Sequence, residues 1–157
     1  MDPSRFFHFT QMVDVTQKCI KRIEASFAPR FGVKSVHIFW LHVLRQNPQG
    51  LTATELAHRR MVDRSLISRE MDDLKRAGLV QTNQEGKSYN AVLTLTEKGQ
   101  QIAEQIGEAA LAIQHETSND ISEEEIVHFY TTFEKIRDKL IAIAKNTKTE
   151  KENNNEQ

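Results

Sequence analysis

Phe6, Phe9, Val13, Thr16, Ile20, Ile23 and Phe27 follow one another at alternating spacings of three and four. That is the period of a helix with one continuous apolar stripe. It predicts a helix over residues 4–29, ended by Pro29 and Gly32. A second helix is predicted from Ser35 to Gln46, where Ile38, Phe39, Leu41, Val43 and Leu44 leave little polar surface, so it should sit centrally in the core. Asn47-Pro48-Gln49-Gly50 reads as a turn. Thr52 and Glu55 form a capping box that should start a short helix at about Ala53, running through Arg59 or Arg60. Asp63 is placed to cap a further helix, Arg64 to Ala77, with Gly78 just past its end. The period then changes: Leu79 to Thr82 and Ala91 to Leu95 read as two strands of a hairpin, with Asn83 to Ser88 at its tip. Thr96 and Glu97 open a long helix to about Gln114, with Ile102, Ile106, Ala109, Ala110 and Ile113 on its buried side, and Ser118-Asn119-Asp120 breaks it. Ser122 and Glu125 form another capping box, after which Ile126, Phe129, Phe133, Ile136, Leu140 and Ile143 again repeat at helical spacing. From Asn146 the chain is polar and low in complexity, the composition of a disordered tail over 146–157.

Within Arg64 to Ala77, Ile67, Met71 and Leu74 fall on one face, which should point to the core. Arg64, Ser65, Ser68, Arg69, Asp72, Lys75 and Arg76 are left on the other. Arginine can fork onto guanine O6 and N7 or onto a phosphate, and small hydroxyl residues let a helix come close to base edges. These residues lie in the first turns, where a recognition helix enters the major groove and where the helix terminus favours phosphate. Two short helices, a turn and a hairpin make a winged helix. Without the hairpin, an ordinary solvated helical face would explain the charges equally well; the hairpin favours a DNA reader.

The stretch TATELAHRRMVDRSLISREMDDLKRAGLV followed by LTLTEKG resembles the core of the multiple-antibiotic-resistance regulator (MarR) family of bacterial transcription factors. That family carries T-x-x-E-L-A, V-D-R-S-x-[IV]-S-R, L-x-x-x-G-L-V and L-T-x-x-G in this order and at nearly this spacing. The resemblance extends over all but the last dozen residues, because the flanking helices also fall where the family has them. It implies a homodimeric winged-helix regulator on a pseudo-palindromic operator, with Arg64, Ser65, Ser68 and Arg69 at the positions that contact bases and phosphates. Two departures stand out. Glu70 occupies a position that is commonly apolar, putting a carboxylate at the core edge. The hairpin tip lacks the usual D-x-R signature and offers only Lys87 as a cation, so Lys87 is assigned to phosphate and no arginine is expected in the minor groove.

Charge bears on this reading without overturning it. The 157 residues carry a formal net charge of −1, which gives no global nucleic-acid signature. Residues 1–50 and 51–100 are, however, net +4 and +1, whereas residues 101–157 are net −6. The acid is concentrated away from the proposed DNA face, and a local basic stripe is compatible with a neutral whole. A single cysteine, Cys19, excludes an internal disulfide. No apolar run is long enough to span a membrane and the N-terminus lacks a signal-peptide core, so the expectation is a cytoplasmic protein.

The expected architecture is mainly α with a small β-hairpin wing. A single domain over residues 1–145 would comprise a winged helix-turn-helix core at 35–96 and dimerisation helices at 4–29 and 97–145. The terminal helices carry more apolar surface than the remaining elements can cover, which argues for a second copy of the chain. Enzyme signatures such as G-x-S-x-G, H-E-x-x-H and nucleotide-binding glycine loops are missing, so no catalytic residue or cofactor is assigned. Glu24, His42 and His115 are the nearest approach to a metal set, but scattered histidines are more often surface or core residues and no metal ligand is assigned. The family includes peroxide sensors with a reactive cysteine in the first helix. The QKCIKR surroundings of Cys19 do not match that pattern, and a semi-buried, inert thiol is expected. Small aromatic or phenolic effectors bind family members between the dimerisation helices and the winged helix. Phe9, Met12, His37, Trp40 and His42 are residues of that kind, but such a group is also what a core looks like, so effector residues stay unassigned. The alternative function is a winged helix used as a protein-interaction module with no operator of its own.

Overall fold

The computed structural model describes residues 2–83 and 91–154, and for residues 148–154 the backbone alone. In chain order the elements are α1 (Ser4–Phe27), a short 3-10 helix (Ala28–Phe31), α2 (Ser35–Arg45), β1 (Leu51–Thr52), α3 (Ala53–Arg60), α4 (Arg64–Arg76), β2 (Val80–Thr82), β3 (Val92–Leu95), α5 (Glu97–Ser118) and α6 (Glu123–Asn154). Two compact units result, residues 1–111 and residues 112–157.

The first unit holds the winged helix. Trp40, Leu41, Leu44, Leu56, Ile67, Met71, Leu74 and Ile106 are fully buried in it, so α2, α3, α4 and α5 all supply the core. The nearly all-apolar α2 is central, as its composition demands. The sheet is antiparallel in the order β1–β3–β2. Val80 pairs with Leu95, Gln81 with Thr94 and Thr82 with Leu93, while β1 adds Leu51 opposite Leu93 and Thr52 opposite Val92. The two-residue strand β1 escapes a periodicity reading because it is too short to alternate. Thr52 serves both structures: it pairs with β3, and its hydroxyl accepts from the Glu55 amide at 3.2 Å while the Glu55 carboxylate accepts from the Thr52 amide at 2.7 Å.

The L-T-x-x-G segment acquires a physical reason here. Thr96 donates its hydroxyl to the Gly78 carbonyl at 2.7 Å and accepts from the Gly99 amide at 3.0 Å, joining the end of α4 to the start of α5. Gly99 is required by close approach, since a Cβ there would lie 2.0 Å from the Leu79 carbonyl oxygen. Gly78, at φ +70°, ends α4 in the left-handed conformation that favours glycine.

The second unit contains the end of α5 and α6. Ser122 and Glu125 form the expected capping box, with the Ser122 amide donating to the Glu125 carboxylate at 3.0 Å. Phe129, Phe133, Ile136, Leu140 and Ile143 are exposed along α6, as Phe6, Val13, Ile20 and Ile23 are along α1. Helix α1 ends at Phe27, short of the expected residue 29, and two later boundaries differ further from the pattern reading. Helix α5 continues to Ser118, four residues beyond Gln114, and Ala110 on its expected buried side is exposed. Helix α6 runs to Asn154, so the stretch from Asn146 to that point is helical where composition predicts disorder. Extending a formed helix avoids the cost of nucleation, and lysine and glutamate are good helix formers.

Candidate nucleic-acid interface

Helix α4 is set by its apolar face. Ile67, Met71 and Leu74 are at most 1% exposed, and their burial fixes which residues look outward. Asp63 occupies the N-cap position in extended conformation, and its carbonyl accepts from the Leu66 amide at 3.1 Å; its side chain makes no capping bond. Preceding it, Met61 ends α3 at φ +52°. A left-handed turn at a non-glycine residue marks a tight, tertiary-imposed connection between the two helices.

The sequence-assigned residues divide. Ser65 and Arg69 are exposed, one turn apart on the outer face of α4. Arg64 and Ser68 are half-buried, and the Ser68 hydroxyl donates to the Arg64 carbonyl at 3.1 Å. The same outer face is partly neutralised towards its end: Lys75 lies 3.8 Å from Asp72, and Arg76 pairs with Asp73. The first turns of α4 therefore carry the open arginine-and-hydroxyl surface. Lys87 and most of the hairpin tip lie outside the described residues.

Glu70 departs from the outer face altogether. It is 8% exposed and accepts a hydrogen bond from the Trp40 indole N–H. The unusual carboxylate thus has a buried donor thirty residues away, which spacing along one helix cannot reveal. On the other side of Trp40, Phe39 packs edge-on at 4.9 Å, and the Arg60 guanidinium sits 4.6 Å from the Phe39 ring centroid. Glu24 of α1 feels this arginine: burial raises its pKa, and the Arg60 and Lys21 charges oppose that rise.

A second polar cluster joins the start of α2 to the end of α4. The Lys34 ammonium lies 2.5 Å from the Asp73 carboxylate, which also pairs with Arg76. His37 is buried beside them; its Nδ1 accepts from the Lys34 amide at 3.4 Å, and its Nε2 stands 3.9 Å from Asp73. Burial and the Lys34 charge lower the His37 pKa, with Asp73 acting in the opposite direction. Lys34 above all holds Asp73 below the usual carboxylate range.

Of the residues weighed for an effector, His37 and Trp40 are buried, Phe9 is half-buried, and Met12 and His42 are exposed. His37 lines a surface cavity with Lys34, Asp73 and Arg76, and the other four residues do not line it. Of the residues weighed for a metal, Glu24 is half-buried and His42 and His115 are exposed; among the described residues no three histidine, cysteine or acidic side chains are placed to hold an ion. Cys19 is exposed rather than semi-buried, because it lies on α1 beside the stripe, where the chain packs little against itself. No helix is long and apolar enough to cross a membrane among the described residues.

Residues 31–87 match the model of the MarR family. Solved structures of the same fold include a MarR family transcriptional regulator from Listeria monocytogenes complexed with DNA, at 21% identity and TM-score 0.76, covering 83% of this chain and 87% of that one. The S. aureus MepR–DNA complex is 17% identical with TM-score 0.75, covering 84% and 96%. A mutant MarR from E. coli complexed with operator DNA is 16% identical with TM-score 0.71, covering 87% and 99%. No curated protein matches the chain.

Proposed function

We propose that this chain, whose residues 31–87 match the MarR family model, is a sequence-specific, DNA-binding regulator of transcription acting as a homodimer in the cytoplasm. The observation that carries the reading is the two-faced α4: Ile67, Met71 and Leu74 lock one side into the core while Ser65 and Arg69 stand exposed on the other. Arg69 and Ser65 read the major groove, Arg64 and Ser68 support them at the helix entry, and Lys87 serves the phosphates. Affinity rests on cation–phosphate contacts and so falls with salt, and specificity rests on the first turns of α4.

The exposed apolar rows on α1 and α6 support assembly of two copies, which would present two recognition helices to a pseudo-palindromic operator. Repression relieved by a small aromatic or phenolic effector is the regulatory mode the family resemblance favours.

Selection of bound duplexes from a random pool, followed by retardation at two salt concentrations with competitor DNA, tests the reading. An enriched two-fold motif with half-sites about one helical turn apart is expected. Failure to enrich any motif would replace this function with that of a protein-interaction module.

A further inference from the structure

Outside α1 and the α5–α6 stretch, the described residues expose two large apolar side chains, Met61 at 61% and Leu66 at 36%. Both lie at the entry to α4. Met61 forms the left-handed turn before the helix, and Leu66 stands in its first turn. A single exposed leucine ordinarily needs no explanation. This one sits between Ser65 and the buried Ile67, and three residues before Arg69, so it shares the surface that bears the open hydroxyl and guanidinium groups. Ile67 and Glu70, its neighbours towards the core, are already buried, so Leu66 is left on the outside of a packed helix.

An aliphatic side chain has neither donor nor acceptor. Against a major-groove floor it can discriminate by one feature, the C5 methyl group of thymine. We propose that Leu66 is a specificity-determining residue that reads one thymine per half-site through that methyl group, an inference that rests on α4 being the major-groove helix. The polar neighbours Ser65 and Arg69 are then left to hydrogen-bond adjacent base edges or phosphates. The apolar contact selects for thymine where cytosine, lacking the methyl, would leave leucine against a hydrated base edge.

The test removes the methyl group and nothing else. Starting from the duplex that wild type enriches, each dT in a half-site is replaced in turn by dU, and binding is compared for wild type and Leu66→Ala. Burial of one methyl corresponds to about a fourfold change in affinity. Wild type should lose about that factor at a single position per half-site, and Leu66→Ala should bind dT and dU there equally. The exposure of Leu66 means that truncation should leave thermal unfolding nearly unchanged. Leu66→Asn provides an independent reading, because an amide favours adenine and should move the preferred base at the same position. Insensitivity of wild type to every dT→dU replacement, or sensitivity that persists in Leu66→Ala, overturns the inference and leaves DNA recognition by α4 standing. If wild type enriches no duplex, the functional reading itself fails and the inference falls with it.

Discussion

Trp40 of α2 donates its indole N–H to the carboxyl group of Glu70 on α4, inside the core of the winged helix. The bond joins the most buried helix to the one bearing the proposed base-reading residues, one position before it is Arg69, and it accounts for a carboxylate where a helix pattern calls for an apolar side chain. Glu70→Ala should leave the indole donor without an acceptor and cost about 1–3 kcal/mol. Trp40→Phe should likewise strand the carboxyl group. Because the two residues share one bond, the double variant Trp40→Phe/Glu70→Ala should lose less than the sum of the single losses. Urea unfolding of the four proteins measures this, and strict additivity would show that the bond contributes nothing of its own.

Arg69 offers the clearest separation of function from folding. Its exposure predicts that Arg69→Ala leaves the melting temperature nearly unchanged. A bidentate guanine contact would make the substitution cost about 1–3 kcal/mol on the enriched duplex and relax preference at one base pair per half-site. Equal losses on enriched and random duplexes would instead assign Arg69 to phosphate. Direct binding measurements on the two duplexes distinguish these outcomes.

Assembly should depend on the exposed row of α6. Phe129 and Phe133 stack with ring centroids 5.6 Å apart and are 55% and 36% exposed in the isolated chain. A glutamate at Phe133 would put an unpaired charge into any interface formed there. Light scattering at micromolar concentration should give a dimer for wild type and a monomer or an unfolded chain for Phe133→Glu. A monomeric wild type would refute the assembly.

His37 sets a stability window in mild acid. Burial and Lys34 depress its pKa in the folded state, so the unfolded chain takes up a proton first as pH falls. The stability contribution is therefore intact above the ordinary histidine value near 6.5 and declines as pH falls from there towards the lower folded value. Asp73, also depressed, contributes in a separate window below the ordinary carboxylate value. Thermal unfolding should show a loss as pH falls below about 6.5 that His37→Gln reduces. An unchanged slope in the variant would remove His37 as its source.

Local signals made much of this fold legible. Thr52–Glu55 and Ser122–Glu125 cap the helices their spacing predicts, and Ile67, Met71 and Leu74 pack as the helical period requires. Ser65 and Arg69 stand on the predicted outer face, but Arg64 and Ser68 are half-buried. What stayed hidden depends on distant partners. Strand β1 exists only through its pairing with β3, and Glu70 makes sense only beside Trp40. Leu66 reads as an unremarkable x in R-S-x-I-S-R until burial of its neighbours shows it stranded outside. The sequence also placed Cys19 half inside, since its position beside an apolar stripe suggests cover that the single chain does not provide.

The Thr96 hydroxyl bridge has a bearing on the order in which the structure forms. Its carbonyl partner, on Gly78, lies eighteen residues earlier in the chain, and the intervening segment includes β2 and β3. The helical bonds of α4 need no residue beyond it, but the Gly78 carbonyl just past its end gains this fastening only after the chain has turned back through the hairpin. Closure of a loop of that length costs entropy that a local helical bond does not. A fragment ending just short of residue 96 should therefore hold a frayed end on α4, and one extended past Gly99 should hold a finished one. The proposed reading head is completed from behind, by a residue that does not belong to it.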